Sequence, residues 1–337
     1  MRTALLGRLA LVLTAFLAAA PAFAGNVLPG CGGRDILAEL RASAPAAHAR
    51  LMAAAEHTEN GGAHLWRVAR AGQKPSYLFG TIHMTDPRVT TLSPAVAAAL
   101  DGASSVAVEI AGLSDGAVMR AVGANPQMLI FTDGRRLDRM LSPSEFATVS
   151  KTLARIGVPA PAQVSIRPWL VSMLLAISDC ERSRMADKQP VLDQVIEHRA
   201  RAAGKDVIGL ETVASQVRAM ASVSDADQIA MLKSTLRHAD RSDDMRETLL
   251  RLYLERRIGA VFALQRHFAM EAGLPSDAMR GFETSLISLR NRTMLDKAGP
   301  LIDRGGAFIA VGAAHLVGPH GLVALLRRDG YWVTPAE

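Results

Sequence analysis

The 337-residue sequence lacks several patterns that mark well-known enzyme sites. It has no glycine-rich phosphate loop, no Cys-x-x-Cys pair and no His-Glu-x-x-His segment. These absences leave no sequence support for a P-loop nucleotide site, a thioredoxin-like redox site or a zincin-type protease. Aromatic residues make up only 4% of the chain, and its lysines and arginines are scattered. Nucleic acid is therefore not an expected partner, because such a partner calls for a clustered basic surface.

The first 24 residues have the features of a secretory signal. Arg2 and Arg8 come before or at the start of a short apolar core, and residues 22–24 (Ala-Phe-Ala) form an Ala-x-Ala cleavage site,. The apolar core is too short to span a bilayer. Cleavage near Ala24 predicts a mature chain of residues 25–337, with a net charge of 6 − 2 = +4, in the periplasm or outside the cell.

Cysteine is scarce as well, since Cys31 and Cys180 are the only two. An exported chain matures in an oxidising compartment, so the pair predicts a disulfide, with two buried thiols as the alternative. Residues 28–31 (Leu-Pro-Gly-Cys) faintly resemble a lipoprotein cleavage box. They lie well past the apolar core and behind a better cleavage site, so lipidation of Cys31 is the weaker interpretation.

Two segments near opposite ends of the chain repeat one arrangement. The apolar run 76–79 ends in Gly80-Thr81-Ile82-His83, and the run 307–311 ends in Gly312-Ala313-Ala314-His315. A proline-containing loop and a helical stretch follow each of them. The same letters occur at Gly61-Gly62-Ala63-His64, but no apolar strand precedes that match. The context thus predicts two related strand-turn-helix units, ending in His83 and His315, that meet over one cleft.

Two further apolar runs end in a glutamate: residues 105–108 lead into Glu109, and residues 206–210 lead into Glu211. Chemistry in open α/β sheets collects at the carboxyl ends of parallel strands. We therefore expect both glutamates to converge with His83 and His315. The two histidine side chains are expected to point over the rim of the sheet and to fill no core cavity. The alternative is that these are ordinary core histidines and helix-capping glutamates.

Imidazole and carboxylate together suit a first-row divalent ion such as manganese, cobalt or zinc. The predicted ligands are His83, His315, Glu109 and Glu211, and one glutamate is expected to serve as general base, in an order left open. Metal-free acid–base hydrolysis by His and Glu is the alternative chemistry. A glycine three residues before each histidine would allow a positive φ or a close backbone approach.

The rest of the chain predicts a mixed α/β fold in a single domain of residues 25–337. Residues 65–70 and 76–78 predict a β-hairpin at a sheet edge. Residues 113–203 and 213–303 are mostly helical in pattern and are expected as insertions between the strands of one sheet. Residues 305–326 carry no Lys, Arg, Asp or Glu, but their glycines and proline favour a strand and a turn over a membrane span,.

Four further residues are weaker candidates. Arg290 and Asn291 lie in a helical pattern and could anchor a substrate carboxylate or hold a site glutamate, or could belong to a solvated helix face. Gln216 could hydrogen-bond at the site or face water. His320 is expected at the surface.

The motifs, taken in order along the chain, resemble those of the TraB/GumN family. They are Leu65-Trp66, Leu78 to His83, Val108-Glu109, Gly209 to Thr212 with Gln216, Arg290-Asn291 with Met294, and Val311 to Leu316. The resemblance covers nearly the whole mature chain, and the motifs are specific as an ordered set. One departure is that a Gly-x-Asp stretch of the family reads Val191-Leu192-Asp193 here, which leaves the role of Asp193 open.

This resemblance implies a function as well as a fold. The family includes the Tiki proteins, which look like metal-dependent proteases that use paired Gly-x-x-His motifs, glutamates and manganese- or cobalt-type ions. It is similar in fold to erythromycin esterases and to haem-binding ChaN proteins. By resemblance, His83, Glu109, Glu211 and His315 are the site residues, with Arg290 and Asn291 in support, and the activity is a metallopeptidase. The other hypothesis is a binding protein for a peptide signal, a polysaccharide fragment or haem.

Overall fold

The computed structural model describes residues 31–274 and 280–337. These residues adopt a mixed α/β fold built on one six-stranded sheet, which confirms the predicted fold class. The predicted signal segment, residues 1–24, lies outside the described residues.

Four parallel strands form the part of the sheet that positions the candidate site. The strands in chain order are β1 (Leu65–Ala69), β2 (Ser76–Thr81), β3 (Ser105–Val108), β4 (Val207–Gly209), β5 (Ala307–Gly312) and β6 (Trp332–Pro335). Their order across the sheet is β4-β3-β5-β2-β1-β6. β4, β3, β5 and β2 are mutually parallel neighbours, so their carboxyl ends share one edge of the sheet.

Helices form the N-terminal arm and most of the connections between strands. They are α1 (Ile36–Ser43), α2 (Pro45–Glu56), α3 (Pro87–Thr90), α4 (Pro94–Asp101), α5 (Asp115–Ala124), α6 (Pro143–Arg155), α7 (Ala160–Gln163), α8 (Pro168–Ala176), α9 (Asp179–Ala186), α10 (Leu192–Ala202), α11 (Val213–Ala221), α12 (Asp225–Arg237), α13 (Ser242–Leu254), α14 (Ile258–Glu271), α15 (Arg280–Glu283), α16 (Leu289–Arg304) and α17 (Leu322–Arg328). The two tracts predicted to be helical, 113–203 and 213–303, are helical over most of their described residues, and only β4 separates them.

Prolines begin many of these helices. Pro45, Pro94 and Pro143 each occupy a first-turn position, where the missing N–H costs no hydrogen bond,. Ser93 and Ser142 precede two of them and accept a backbone N–H as N-caps,. These prolines therefore mark where the three helices start.

Three of the four parallel strands, β2, β3 and β5, are largely buried, which explains their continuous apolar sequences,. β4 lies at one edge of the sheet, and Ile208 on it is exposed. β5 is buried at every residue from Ala307 to Val311, and β3 is buried from Val106 to Val108. β2 lies beside β5 with Gly80 opposite Val311 and Thr81 opposite Gly312. This register brings the ends of the two Gly-x-x-His strands to the same level.

The predicted hairpin exists, but its predicted place at the sheet edge is wrong. β1 pairs with β2 on one side and with β6 on the other, both antiparallel. β6 is therefore the edge strand on this side of the sheet, and Trp332 on it is 65% exposed. Only four residues long, and largely exposed, β6 carries too little alternation to be recognised as a strand,.

The uncharged segment 305–326 contains β5, a 3-10 turn and part of α17, as the sequence predicts. Across residues 31–274 and 280–337, no helix has both the length and the apolar character that a bilayer crossing needs.

Cys31 and Cys180 form the predicted disulfide, with their Cα atoms 5.3 Å apart,. It joins the N-terminal segment to α9 across 149 residues of sequence. A disulfide is compatible with export to an oxidising compartment.

Candidate active site

The structure brings the four predicted site residues together at the carboxyl edge of the parallel strands. Glu109 lies between the two histidines, with its Oε2 3.5 Å from His83 Nε2 and its Oε1 3.1 Å from His315 Nε2. Glu211 lies beside Glu109, because the Glu211 N–H donates to the Glu109 carbonyl at 2.7 Å. The sheet thus assembles residues that are up to 232 positions apart in the sequence (315 − 83).

The His83 ring is oriented by a carboxylate. Its Nδ1 lies 2.8 Å from Asp193 Oδ2, and Asp193 Oδ1 accepts the Thr81 hydroxyl at 2.7 Å. An ionised carboxylate can only accept, so His83 Nδ1 carries the hydrogen. The opposite nitrogen, Nε2, is the one that faces Glu109.

The His315 ring is oriented in the same way by an amide. Asn291 Nδ2 donates to the carbonyls of His315 and His320, at 3.1 and 2.8 Å. The Asn291 Oδ1 atom therefore faces His315 Nδ1, at 2.6 Å, and must accept a hydrogen from it,. Again Nε2 is left to face Glu109.

Arg290 joins the two glutamates. Its Nε lies 2.9 Å from Glu211 Oε2 and 3.1 Å from Glu211 Oε1, while its Nη2 donates to Glu109 Oε1 at 2.9 Å. Arg290 follows a π-helical segment, Thr284–Ser288, whose Leu286 carbonyl accepts from Arg290 Nη1 at 3.1 Å. With its side chain only 13% exposed, Arg290 does not belong to a solvated helix face but holds the site glutamates,.

Neighbouring charged groups shift the pKa values of two site residues, Glu109 and His83. Burial opposes ionisation of Glu109, but the hydrogen bond with His315 and the charges of His315, His83 and Arg290 lower its pKa to about 2,. The Asp193 carboxylate, against the opposing effect of burial, raises the pKa of His83 to about 9. Glu109 is thus a carboxylate throughout the physiological range, which is the form that binds a metal ion.

The two motif glycines have different physical roles, and neither has a positive φ. A Cβ at Gly80 would lie 2.9 Å from the Ala313 Cα, so this glycine permits the close approach of β2 to the turn after β5,. A Cβ at Gly312 would lie 3.7 Å from both Glu109 Oε2 and His83 Nε2. Gly312 therefore keeps the space between the site side chains open.

The expectation that both histidines lie at an exposed rim is correct only for His83. The His83 side chain is 63% exposed, whereas the His315 side chain is 4% exposed. The reason is the 3-10 turn Ala313–His315, which folds the second histidine back against α16.

The residues present fit a divalent metal ion. His83, Glu109 and Asp193 each offer one ligand atom, and these atoms all lie within 4.8 Å of one another. His315 Nε2 faces the same Glu109 carboxylate. One imidazole and two carboxylates, with a second imidazole that contacts one of these carboxylates, are donor types that first-row divalent ions favour,.

Asp193 is the site residue whose role the sequence left open. It lies in the first turn of α10, and the N–H of its neighbour Leu192 donates to the Met84 carbonyl just after His83. No strand leads into it, so strand-end reasoning could not find it, and the only signal was its place in a family motif. Of the weaker candidates, Gln216 Nε2 lies 3.5 Å from Glu211 Oε2, and His320 is exposed, as expected.

Residues 112–116 also match the Gly-x-Ser-x-Gly pattern of a nucleophile elbow,. In an elbow the serine lies on a sharp turn directly between a strand and a helix. Here Ser114 comes six residues after the last residue of β3 (114 − 108) and immediately before α5. The local geometry is therefore not that of an elbow.

Comparison with known families agrees with the geometry. A family model described as the TraB/PrgY/gumN family matches residues 64–335. The comparisons with curated proteins and with solved structures each gave no match. The matched region contains His83, Glu109, Glu211, Arg290 and His315, and it spans well over half of the sequence. The chain belongs to the TraB/PrgY/gumN family.

Proposed function

We propose that this protein is an exported, metal-dependent hydrolase whose ion is held by His83 Nε2, His315 Nε2 and the Glu109 carboxylate. One observation carries the proposal: both imidazoles have Nδ1 bound to an oxygen acceptor, and both therefore present Nε2 to one carboxylate. A bare nitrogen lone pair facing a carboxylate is repulsive. In the metal-free protein the raised pKa of His83 places a second proton on its ring, facing Glu109. A cation that displaces this proton and lies between the three groups would give the arrangement of a two-His-one-carboxylate centre.

When bound, a manganese, cobalt or zinc ion would supply an activated water and polarise a carbonyl oxygen. The chain's own residues prepare the place for it. Asp193 and Asn291 fix the tautomers and ring orientations of the two histidines, in the manner of outer-shell partners of metal ligands,. Arg290 holds Glu109 in place and compensates part of the negative charge of the two glutamates.

A general-base role for Glu211 would require a rearrangement of its side chain. Both of its oxygens accept from Arg290, and its side chain is 3% exposed, so Glu211 faces Arg290 rather than the histidines. Geometry therefore favours Glu109 over Glu211 as the ligand. Glu211 would act as a base only after its contact with Arg290 loosens, and otherwise it serves to position Arg290.

The proposed substrate is a peptide, and this part of the proposal is supported by the resemblance to the Tiki-type proteases. Exposed His83 forms the accessible side of the site, and buried Glu109 and His315 form its floor, so a substrate carbonyl would approach from the His83 side. Residues 25–337 are proposed to act as one domain in the periplasm or outside the cell.

The test is elemental analysis of oxidised protein purified without chelator, followed by turnover of a peptide library with and without added manganese, cobalt or zinc. We expect about one ion per chain and ion-dependent cleavage that Glu109→Gln abolishes. The matched control is Glu145→Gln, which changes a capping glutamate of α6 remote from the strand ends in sequence. A protein that binds no divalent ion, and whose turnover no ion restores, would refute the enzyme proposal and favour a binding protein.

A further inference from the structure

The segment between β2 and α3, residues 82–86, carries His83 and is held by contacts outside the candidate site. The His83 side chain is 63% exposed, so packing contributes little to holding its ring. The position of the ring depends instead on Asp193 and on the backbone of this segment. Whatever fixes residues 82–86 therefore also fixes one of the proposed metal ligands.

Glu181 fixes this segment two residues beyond His83. A single oxygen, Oε2, accepts both the Thr85 N–H, at 2.9 Å, and the Thr85 hydroxyl, at 2.7 Å. Thr85 is 3% exposed and Glu181 is 7% exposed, so water competes little for these hydrogen bonds. The backbone is held again one residue earlier, where the Met84 carbonyl accepts from the Leu192 N–H at 3.2 Å.

The surroundings of Glu181 suit a positioning role better than a purely stabilising one. Among the residues that the structure describes, no arginine or lysine pairs with its carboxylate, and its Oε1 is buried without a hydrogen-bond partner. Burying a carboxylate without an ionic partner opposes folding. The contacts that its side chain does make are the two hydrogen bonds to Thr85.

The Cys31–Cys180 disulfide leads to the same segment from both of its ends. Cys180 directly precedes Glu181 in α9. On the other side, the Cys31 carbonyl accepts from Arg246 Nη2 at a long 3.5 Å, and Arg246 Nη1 donates to the buried Asp86 carboxylate at 3.2 Å. The connection through Glu181 has the shorter hydrogen bonds and is therefore the stronger of the two.

We propose that Glu181 is a positioning residue for His83, and that it transmits the presence of the disulfide to the candidate metal centre. Without the disulfide, α9 loses its covalent tether to the N-terminal segment, and the position of Glu181 relative to Thr85 is less restricted. The oxidised chain is then the form that binds metal with full affinity. This consequence rests on the proposed function, whereas the link between Glu181 and residues 82–86 does not.

The test compares oxidised mature protein with two variants. Glu181→Met keeps much of the side-chain volume but removes both acceptor oxygens, and Glu181→Gln keeps one acceptor. Hydrogen exchange of the Thr85 amide, followed by NMR, reports on the segment without metal, and calorimetric titration reports manganese affinity. The reference amide is that of Ile309 in the buried strand β5, which only global unfolding should expose,.

In Glu181→Met, we expect the exchange of the Thr85 amide to accelerate at least about tenfold more than that of Ile309, because a buried hydrogen bond is lost. Manganese should bind about tenfold more weakly, as when a hydrogen-bond partner of a metal ligand is removed. Glu181→Gln should stay within about threefold of wild type in both measurements, because its amide oxygen can still accept from Thr85.

The contribution of the disulfide is tested by Cys31→Ser, Cys180→Ser in both backgrounds. Alone, this double change should lower manganese affinity by a similar factor of about ten. Added to Glu181→Met, it should cause less than about a twofold further loss, because both changes act through one contact. Glu145→Met is the matched control, since Glu145 also accepts a backbone N–H, from Ser142 at 2.7 Å, and should alter neither measurement by more than about twofold,.

Exchange of the Thr85 amide that is unchanged in Glu181→Met, or that rises only as much as that of Ile309, would overturn the proposal whether or not the disulfide-free protein folds. Losses of manganese affinity that multiply fully when the changes are combined would also overturn it, because the disulfide would then act by another route. A wild type with no manganese affinity would refute the proposed function alone, since the Thr85 exchange rates would still support or contradict the link to Glu181.

Discussion

Removing either histidine of the candidate metal centre should have the same effect on metal binding but different effects on stability. His83→Ala and His315→Ala each delete one imidazole that faces Glu109. If both histidines bind one ion, each single variant should lose more manganese affinity than the roughly 10–100-fold that is lost when a hydrogen-bond partner of a metal ligand is removed. The double variant should then bind no worse than the weaker single variant, which is a strongly non-additive result.

The two variants should differ in the stability of the metal-free protein. The His83 side chain is 63% exposed, and an exposed pair such as His83–Asp193 contributes about 0–1 kcal/mol,. The His315 side chain is 4% exposed, and its removal leaves Asn291 Oδ1 and Glu109 Oε1 each short of one buried contact. We estimate a cost of roughly 2–4 kcal/mol for His315→Ala, from the price of unpaired buried groups and a partly collapsed cavity.

The assays are thermal and denaturant unfolding of chelated protein for stability and calorimetric titration with manganese for affinity. At about 2–4 °C per kcal/mol, His315→Ala should lower the apo Tm by roughly 5–15 °C, and His83→Ala by about 4 °C or less. Asp303→Ala is a suitable control for affinity, since its carboxylate bonds to Arg70 and Tyr331 and the residue precedes β5 rather than following it, so manganese affinity should be unchanged. Affinity losses that simply multiply in the double variant would place the two histidines at separate sites. A His83→Ala protein as unstable as His315→Ala would show that the ring is not exposed.

Four further predictions follow from single contacts. Gly312→Ala adds a methyl 3.7 Å from His83 Nε2 and Glu109 Oε2, so manganese affinity should fall while the apo Tm changes by about 2 °C or less, since its φ of −52° suits alanine,. Asn291→Asp cannot donate to the two carbonyls that the amide now satisfies, so denaturant unfolding should show a loss of roughly 2–4 kcal/mol,. Burial lowers the folded pKa of His64 to about 4, below its unfolded value of 6.5, so its contribution to stability is complete above pH 6.5 and falls as the pH drops toward 4,. The loss of stability between pH 7 and pH 4 should therefore be smaller by roughly 3 kcal/mol in His64→Phe, measured by denaturant unfolding at both pH values. The Cys31–Cys180 disulfide closes a loop of 149 residues, so a Cys31→Ser, Cys180→Ser protein should lose roughly 2–5 kcal/mol, and the native protein should show no thiol that alkylates on unfolding without reductant,.

The sequence alone determined the parts of this protein that local patterns encode. Apolar runs that end at His83, Glu109, Glu211 and His315 predicted four parallel strands, and these strands are adjacent in the sheet. This inference succeeds because buried strands such as β3 and β5 need a continuous apolar run, and because parallel strands present their carboxyl ends at one edge,. The disulfide was predicted from two cysteines in a chain expected to be exported, and the family from an ordered set of motifs along the chain.

Only the tertiary structure decided how the site is held. Asp193, on a helix that no strand precedes, orients His83, and Asn291 orients a histidine that the 3-10 turn buries. It also decided that β6 pairs with β1 of the hairpin, that Arg290 hydrogen-bonds to Glu211, and that His64 lines a cavity. These outcomes depend on side chains from distant segments meeting in three dimensions, where hydrogen-bond satisfaction and burial are settled by packing rather than by any periodicity along the chain.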